Sequence, residues 1–240
     1  MKISLIIPAY NEEKYIGDCL QSVLLYGQKI FEVIVVNNGS TDKTTEIAEK
    51  FLGLIQNLKI ISEPKKGLPQ ARNRGIRESS GDIVAYIDAD CRLRDSWCDE
   101  IINNFNLNNN LVALSGSYKY YDLNFFSNII ARINWWIFTP MAYYLTGYII
   151  IFGNVAIRRE FLLKIGGVRE EVVFYGDDTD LAKRLHPHGK ITYKMNFYLY
   201  SSSRRVKKEG LFKLYIKYGI NFLWEVLWNK PLTEKYIDVR

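Results

Sequence analysis

The sequence of 240 residues predicts an α/β fold, in which helices flank a mostly parallel central sheet and a helical, amphipathic extension follows at the C-terminus. Short, continuously apolar runs rich in β-branched residues are typical of strands that are covered on both faces. Between these runs, apolar residues recur at helical spacing. This alternation predicts parallel strands joined by right-handed crossover connections.

The first half of the chain contains four predicted strands, at Ile3–Ile7, Glu32–Val36, Leu58–Ile61 and Asp82–Ile87. Three predicted helices alternate with them, over residues 16–24, Lys43–Leu52 and Leu68–Ser79. We expect Ser40 or Thr41, in the turn that precedes the second helix, to act as its N-cap.

Charge and aromatic residues are divided unevenly along the chain. The net charge of +6 comes from 32 Lys and Arg residues against 26 Asp and Glu residues. Residues 1–120 carry a net charge of −1 and 10 aromatic side chains, whereas residues 121–240 carry +7 and the other 24. The hydrophobic content of 48% excludes general disorder. Three cysteines form neither a disulfide framework nor a zinc motif, and the first apolar run is too short for a signal peptide, so we expect a cytoplasmic protein.

Polar residues follow each of the four predicted strands, at 8–12, 37–42, 63–67 and 88–90. Ligands of parallel sheets bind beyond the carboxyl ends of the strands, so these loops should converge on one site. Asp88 and Asp90 flank a single small residue at the end of the fourth strand. Paired carboxylates suit Mg²⁺ or Mn²⁺ together with substrate phosphates. An ordinary polar turn is the alternative interpretation of this pair.

Several motifs, in order along the chain, resemble those of family 2 glycosyltransferases. They are residues 4–13, residues 32–42, Gly67 with residues 71–73, residues 88–90, and the later group at 153–154, 166–167 and 176–181. These enzymes are inverting and have the nucleotide-sugar-binding GT-A fold, which contains a Rossmann-like sheet. The resemblance covers most of the chain. It therefore implies a GT-A fold and metal-dependent transfer from a nucleotide-diphosphate sugar, and leaves the substrate open.

The resemblance also implies a donor site. Its nucleotide-sugar contacts would be Pro8, Tyr10, Glu12, Asn38, Gly67, Arg72, Asp88 and Arg204. Asp90, with Asp88, would hold the Mg²⁺ or Mn²⁺ that neutralises the departing diphosphate. Position 38 usually carries an Asp that accepts a hydrogen bond from the base. Because the Asn38 amide both donates and accepts, UDP is the default nucleotide and GDP stays open.

On the acceptor side, the resemblance makes Asp178 the catalytic base, which removes the proton from the attacking hydroxyl. Asp177 stands where the family usually has Glu, and Gly153 and Asn154 are expected beside the acceptor. The acids at 177, 178 and 180 begin a predicted helix. Favourable charge at a helix N-terminus is therefore the alternative to catalysis.

Residues 133–157 carry no charge, and this stretch is long enough to span a membrane. Pro140 and Gly147 interrupt this stretch, and a span here would place Asp88 and Asp178 on opposite sides of a membrane. We therefore predict an aromatic helix over Phe125–Leu145 and a strand over Tyr148–Phe152. The aromatic residues fit either a membrane interface or core and oligomer packing.

A basic segment, residues 201–208, precedes an amphipathic helix that extends to about Val226. Its charge fits a solvated face, an anionic lipid surface, or a phosphate contact by Arg204 or Arg205. No recognition motif supports nucleic-acid binding.

Together these features predict a nucleotide-sugar-binding half (1–117), an acceptor half with the catalytic base (118–203) and a basic, aromatic C-terminal segment (204–240). The predicted activity is inverting sugar transfer from a nucleotide-diphosphate sugar to a hydroxyl of a glycan or lipid-linked acceptor, with a homodimer and peripheral membrane contact left open. A polyprenyl-phosphate sugar synthase, a sugar nucleotidyltransferase and a non-catalytic nucleotide-sugar-binding protein are the alternatives.

Overall fold

One mixed sheet of eight strands organises the molecule, in a computed structural model that describes residues 1–172, 176–228 and 232. The strands are β1 (Ile3–Ala9), β2 (Glu32–Asn37), β3 (Leu58–Ser62), β4 (Ile83–Ile87), β5 (Cys91–Arg92), β6 (Leu111–Tyr120), β7 (Asn154–Arg158) and β8 (Lys190–Ser201). Their order across the sheet is β3-β2-β1-β4-β7-β6-β8-β5. Strands β1 to β4 are parallel, as predicted, whereas β7 is antiparallel to both β4 and β6.

Ten α-helices lie within the described residues. They are α1 (Ile16–Tyr26), α2 (Thr44–Glu49), α3 (Leu68–Glu78), α4 (Trp97–Leu107), α5 (Phe125–Ile133), α6 (Thr139–Thr146), α7 (Arg159–Lys164), α8 (Asp177–Leu185), α9 (Arg204–Glu209) and α10 (Leu211–Trp228). None of these helices combines the length and the apolar character that crossing a bilayer requires. The predicted segment 204–240 continues beyond the described ranges.

Alternating side chains of the sheet fill two apolar cores. Ile3, Leu5 and Ile7 point to the side covered by α1 and α4, where Trp97 is fully buried. Ile6 points to the other side, which α3, α7 and α8 cover. Both central strands are buried on both faces, so β4 is an unbroken apolar run, and the one polar residue of β1, Ser4, donates a hydrogen bond to Glu32.

Two local predictions are corrected by the structure. The second helix is shorter than predicted, and its first turn is held by Asp42, whose carboxylate accepts hydrogen bonds from the Thr44 N–H (2.9 Å) and hydroxyl (2.5 Å). The predicted strand Tyr148–Phe152 is wrong, since this segment is irregular and the strand begins at Asn154. Its apolar residues are buried without sheet pairing, so burial rather than strand formation explains the run.

The aromatic segment is helical, as predicted, with a π-helical turn over Asn134–Phe138 between α5 and α6. Asn124 caps α5 by accepting a hydrogen bond from the Ser127 N–H at 2.9 Å. Pro140 has no N–H to continue an α-helical ladder, and the wider turn precedes it. Gly147, with φ +79°, ends the helix.

Candidate active site

A cavity of about 780 Å³ lies beyond the carboxyl ends of β1 and β4. Its charged end contains Glu12, Arg72, Asp88, Asp90, Asp177, Asp178 and Arg204. Pro8 and Gly153 also line it. These residues come from widely separated loops, which meet here as strand topology predicts.

Asp88 and Asp90 follow β4 directly, with Cys91 next in sequence. Ligand atoms of these three residues lie within 4.8 Å of one another. Burial raises the pKa of the Cys91 thiol well above its ordinary value, and the charges of Asp90 and Asp88 raise it further, so the thiol stays protonated. The carboxylate oxygens are hard donors that fit Mg²⁺ or Mn²⁺, whereas a neutral thiol does not. These two carboxylates therefore fit the expected divalent cation.

Arg204, the first residue of α9, reaches across the charged end of the cavity. Its guanidinium donates two hydrogen bonds to Glu12, at 2.7 and 2.8 Å, and its Nε lies 2.8 Å from Asp90 Oδ2. Burial raises the pKa of Asp90 to about 7, with Arg204 opposing and with Asp88 and Glu12 adding to the increase. The arginine thus partly compensates three carboxylates that crowd one buried region.

Asp178 lies at the start of α8, beside Asp177, and lines the same cavity as Asp88. Burial raises the pKa of Asp178 well above its ordinary value. The negative charges of Asp177 and Asp88 raise it further, and Arg72 opposes them. A carboxylate with such a pKa accepts a proton more readily than an exposed one does.

The neighbouring acids have different partners. Asp177 forms a buried ion pair with Arg72, whose guanidinium also lies 3.5 Å from the centre of the Phe152 ring. Asp180 pairs with Arg184 at 2.7 Å and Arg169 at 3.0 Å. Since these two carboxylates are neutralised locally, Asp178 is the acid of this run best placed to accept a proton.

Gly153 borders Asp88 closely. A Cβ at this position would lie 2.5 Å from Asp88 Oδ2 and closer still to the Tyr118 hydroxyl. Only glycine therefore lets the two side chains approach the backbone as they do. Gly153 therefore shapes the carboxylate site itself, and its place beside the acceptor stays a prediction.

Four predicted site residues, Tyr10, Asn38, Gly67 and Asn154, are not among the described residues that line the cavity. The Asn154 side chain is fully buried, donates to the carbonyls of Ser117 (3.0 Å) and Phe197 (2.9 Å), and accepts from Trp97 Nε1 (3.0 Å). These bonds join β7 to its neighbours, which is a supporting role.

Asn38 holds the loop that follows β3. Its amide nitrogen donates to the carbonyls of Glu63 (2.9 Å) and Lys65 (2.8 Å), and its oxygen accepts from the Gly67 N–H (2.8 Å). Both amide protons are therefore committed to the loop and not to a nucleotide base. An aspartate could not donate either bond, which gives the Asn at this position a structural reason.

The remainder of the cavity is mostly apolar, with Asn134, Arg205 and Asn221 among its polar residues, and was not foreseen from the sequence. It lies between the α5–α6 segment and α10 and includes Trp135, Phe138, Ile150, Phe212, Ile216 and Phe222. Tyr118, at the boundary between the two parts, packs edge-on against Trp135 with ring centroids 5.6 Å apart. The high number of aromatic residues in the second half of the chain was the feature of the sequence that could have indicated this apolar region.

Comparison with known proteins gives a consistent family match. The sequence model described as Glycosyl transferase family 2 matches residues 4–166. "Glycosyltransferase AglE" of Haloferax volcanii is 44% identical over 100 residues, 40% of this chain and 33% of the relative. "Putative glycosyltransferase EpsH" of Bacillus subtilis is 34% identical over 100 residues, 42% of this chain and 29% of the relative. The matched segments thus span about a third of these curated relatives.

Solved structures with a similar fold include the mannosyltransferase PcManGT of Pyrobaculum calidifontis, in complex with GDP-Man and Mn²⁺. It has a TM-score of 0.69 and 21% identity, over 92% of this chain and 61% of that one. S. aureus TarS in complex with UDP-GlcNAc has a TM-score of 0.64 and 22% identity, over 84% and 58%. These likenesses confirm the predicted GT-A fold.

Proposed function

We propose that this chain, which belongs to glycosyl transferase family 2, is an inverting enzyme that moves a sugar from a nucleotide-diphosphate sugar to an acceptor hydroxyl. One observation carries the proposal. A single cavity contains both a carboxylate pair that fits a divalent cation and a separate carboxylate, Asp178, that suits a general base. Donor activation and acceptor deprotonation require these two functions side by side.

At the donor end, Asp88 and Asp90 would hold Mg²⁺ or Mn²⁺, which as a Lewis acid stabilises the negative charge of the departing diphosphate. Glu12, Arg72 and Arg204 line the same cavity and would orient the donor. The structural neighbours PcManGT and TarS bind GDP-Man and UDP-GlcNAc respectively, which supports a nucleotide-diphosphate sugar as the donor class. UDP is the default nucleotide, and GDP is the second candidate.

At the acceptor end, Asp178 would take the proton of the attacking hydroxyl. The hydroxyl oxygen forms a bond to the anomeric carbon while the bond from that carbon to the diphosphate oxygen breaks. The nucleoside diphosphate leaves with the electron pair, and the single displacement inverts the anomeric configuration. Burial and the neighbouring carboxylates, which raise the pKa of Asp178, support this assignment.

The acceptor class is a hydroxyl of a glycan or of a lipid-linked sugar. The apolar part of the cavity favours the lipid-linked class. The same apolar part of the cavity supports a polyprenyl phosphate as the alternative acceptor. A phosphate acceptor is already ionised at neutral pH, so it would not need Asp178. We retain the division into a donor half (1–117), an acceptor half (118–203) and a C-terminal segment (204–240) as part of the proposal.

Product analysis tests the proposed reaction class. The protein is incubated with a panel of UDP- and GDP-sugars and Mn²⁺, with a lipid extract as the acceptor source, and the released nucleotide product is identified. Release of a nucleoside diphosphate supports sugar transfer, whereas release of pyrophosphate identifies a nucleotidyltransferase. Nucleotide binding that is unchanged by Mn²⁺ or by Asp90→Ala, with no turnover, identifies a binding protein instead.

A further inference from the structure

The cavity opens on a surface made of apolar side chains. Ile133, Phe138, Phe212, Ile216 and Tyr218 line the cavity and are also exposed to solvent. Phe138 is 56% exposed and Ile216 is 63% exposed. These residues belong to α5, the π-helical turn and α10, which therefore form the mouth of the cavity. We call this region, Phe125–Thr146 together with α10, the apolar rim.

The apolar rim concentrates the exposed apolar side chains of the protein. Ten large exposed hydrophobic residues lie in Phe125–Thr146 and seven in α10, against eleven over the rest of the described chain. Within Phe125–Thr146, Ala131 is the one buried residue. A large, contiguous cluster of exposed apolar side chains typically marks a site of contact with protein or lipid. The rim therefore has the character of an interaction surface.

The charges of the rim indicate an anionic partner. Arg132 is the one charged residue between 125 and 146. In α10, Glu225 is buried, Lys213 is exposed, and Lys217 pairs with Glu209 at 3.0 Å. In the adjoining α9, Lys208 is exposed, and Lys207 is exposed and pairs with Asp122 at 2.9 Å. A surface of exposed aromatic, aliphatic and basic side chains fits the interface of an anionic bilayer.

A second copy of the chain fits less well. A two-fold symmetric contact through the rim would bring like charges together and would close the mouth of the cavity. A bilayer leaves the mouth in contact with acyl chains, at the level where Trp and Tyr rings are favoured. Trp135, Trp136, Tyr143 and Tyr144 all lie in this segment.

We infer that the apolar rim docks on an anionic membrane surface, and that the lipid chain of a membrane-borne acceptor enters the cavity between α5–α6 and α10. The head group to be glycosylated then lies at the charged end, next to Asp178, while its lipid chain stays in contact with the bilayer. This inference rests on the proposed function for the reaction, but the docking step requires neither donor nor metal. The two can therefore be tested separately.

Vesicle flotation tests the docking step. The full chain is mixed with phosphatidylglycerol–phosphatidylcholine vesicles and with pure phosphatidylcholine vesicles. Binding is expected to the anionic vesicles and to fall with added salt. The double variant Phe126→Ser/Tyr144→Ser removes two rim side chains that do not line the cavity, and should lower the vesicle-bound to free ratio about tenfold or more.

The matched control is Leu54→Ser/Leu107→Ser, which removes two comparably exposed apolar side chains elsewhere and should bind vesicles like the wild type. Equal loss in both variants, or failure of the wild type to bind anionic vesicles, overturns the inference. A dimer in analytical ultracentrifugation that only the rim variant dissociates would assign the rim to a second copy instead.

Photo-crosslinking tests entry of the lipid chain. The vesicles carry phosphatidylglycerol with a diazirine in its acyl chain, and crosslinked peptides are mapped after irradiation. Crosslinks to inner cavity residues such as Ile150 and Phe222 support entry, whereas crosslinks confined to exposed rim residues such as Phe126 and Phe138 overturn it. A thermal-shift assay with UDP or GDP and Mn²⁺, without lipid, reports on the donor site alone. If the nucleotides and Mn²⁺ do not raise the melting temperature while the protein still binds vesicles, the result counts against the proposed function and not against docking.

Discussion

Arg204 and Glu12, 192 positions apart in the chain, form a two-point ion pair at the charged end of the cavity. The same guanidinium contacts Asp90 at 2.8 Å. Burial alone would lower the pKa of Arg204, but its hydrogen bonds to Glu12 and the charges of Asp90 and Asp88 raise it above the usual range. This arginine therefore joins the loop after β1, the loop after β4 and the C-terminal helices into one site.

Removing the guanidinium should deprive the buried carboxylates of Glu12 and Asp90 of this positive charge. We expect Arg204→Ala to lower the free energy of unfolding by about 3–5 kcal/mol, measured by urea denaturation without ligands. Arg204→Lys should restore only part of this, since an ammonium cannot form the two-point contact. Mn²⁺ should raise the melting temperature of Arg204→Ala more than that of the wild type, because a cation replaces the lost charge.

The control for this variant is Arg74→Ala, which removes a surface ion pair with Glu78 at 2.9 Å. Its cost should stay within about 1 kcal/mol. Equal stability of Arg204→Ala and Arg74→Ala would show that Arg204 does not compensate the carboxylates.

Replacing Asp178 by Asn keeps the shape of the side chain and removes the base. We expect turnover to fall about 10²–10⁴-fold, with donor and Mn²⁺ affinities unchanged, in a single-turnover assay of nucleoside diphosphate release. Asp18→Asn, at an exposed ion pair with Arg92, is the matched control and should keep wild-type turnover. Full activity of Asp178→Asn would exclude this residue as the base and would favour an acceptor that is already ionised.

Gly153→Ala should disturb the carboxylate site without unfolding the protein. The new Cβ displaces two side-chain ends, Asp88 Oδ2 and the Tyr118 hydroxyl, and no backbone atom. We expect Mn²⁺ affinity to fall about tenfold, measured by titration calorimetry in the presence of UDP. Gly17→Ala, whose Cβ would make an ordinary 3.4 Å contact with Ile47, should bind Mn²⁺ like the wild type. Unchanged affinity in Gly153→Ala would place the metal elsewhere.

The sequence was sufficient for the features that depend on local pattern. Alternation of apolar runs and helices predicted the four parallel strands, and the polar residues after β1 and β4 predicted the meeting of Glu12, Asp88 and Asp90. Both follow from periodicity and from the rule that ligand sites lie at strand carboxyl ends.

The structure adds contacts that the sequence did not predict, at residues whose partners lie far along the chain. Asn154 bonds to the carbonyls of Ser117 and Phe197, and Asn38 bonds to those of Glu63 and Lys65. Both asparagines lie within motifs that resemble those of the family. For that reason the sequence predicts a nucleotide contact for Asn38 and a position beside the acceptor for Asn154. Which carbonyls they meet depends on strand register and loop path, which no local pattern encodes. The Arg204–Glu12 ion pair likewise depends on the path of the whole chain and could not be predicted from a local pattern.

Asn38→Asp separates the structural role of this residue from a contact with the nucleotide base. The carboxylate would face two carbonyl oxygens that now accept hydrogen bonds. We expect a loss of about 2–4 kcal/mol in unfolding free energy and weaker UDP binding, because the loop 63–67 is released. Asn57→Asp loses one exposed bond to the Phe31 carbonyl and should cost less. Tighter UDP binding by Asn38→Asp would show that the side chain reaches the base.

The hydrogen bonds of Glu32 predict how the free energy of unfolding changes at acid pH. Burial would raise the pKa of this carboxyl, but hydrogen bonds from Lys59, Ser4 and Ser80 lower it from 4.5 to about 2. A lowered pKa stabilises the fold above the unfolded-state pKa, and this stabilisation is lost as pH falls through the folded-state value. Glu32→Gln should therefore cost about 3 kcal/mol at pH 7, with the difference from wild type closing between about pH 5 and pH 2, measured by urea denaturation across pH. Glu46→Gln, at an exposed pair with Lys50, should cost less than about 1 kcal/mol throughout. A pH-independent difference for Glu32→Gln would mean that lost packing, and not the ionised hydrogen-bond network, explains its cost.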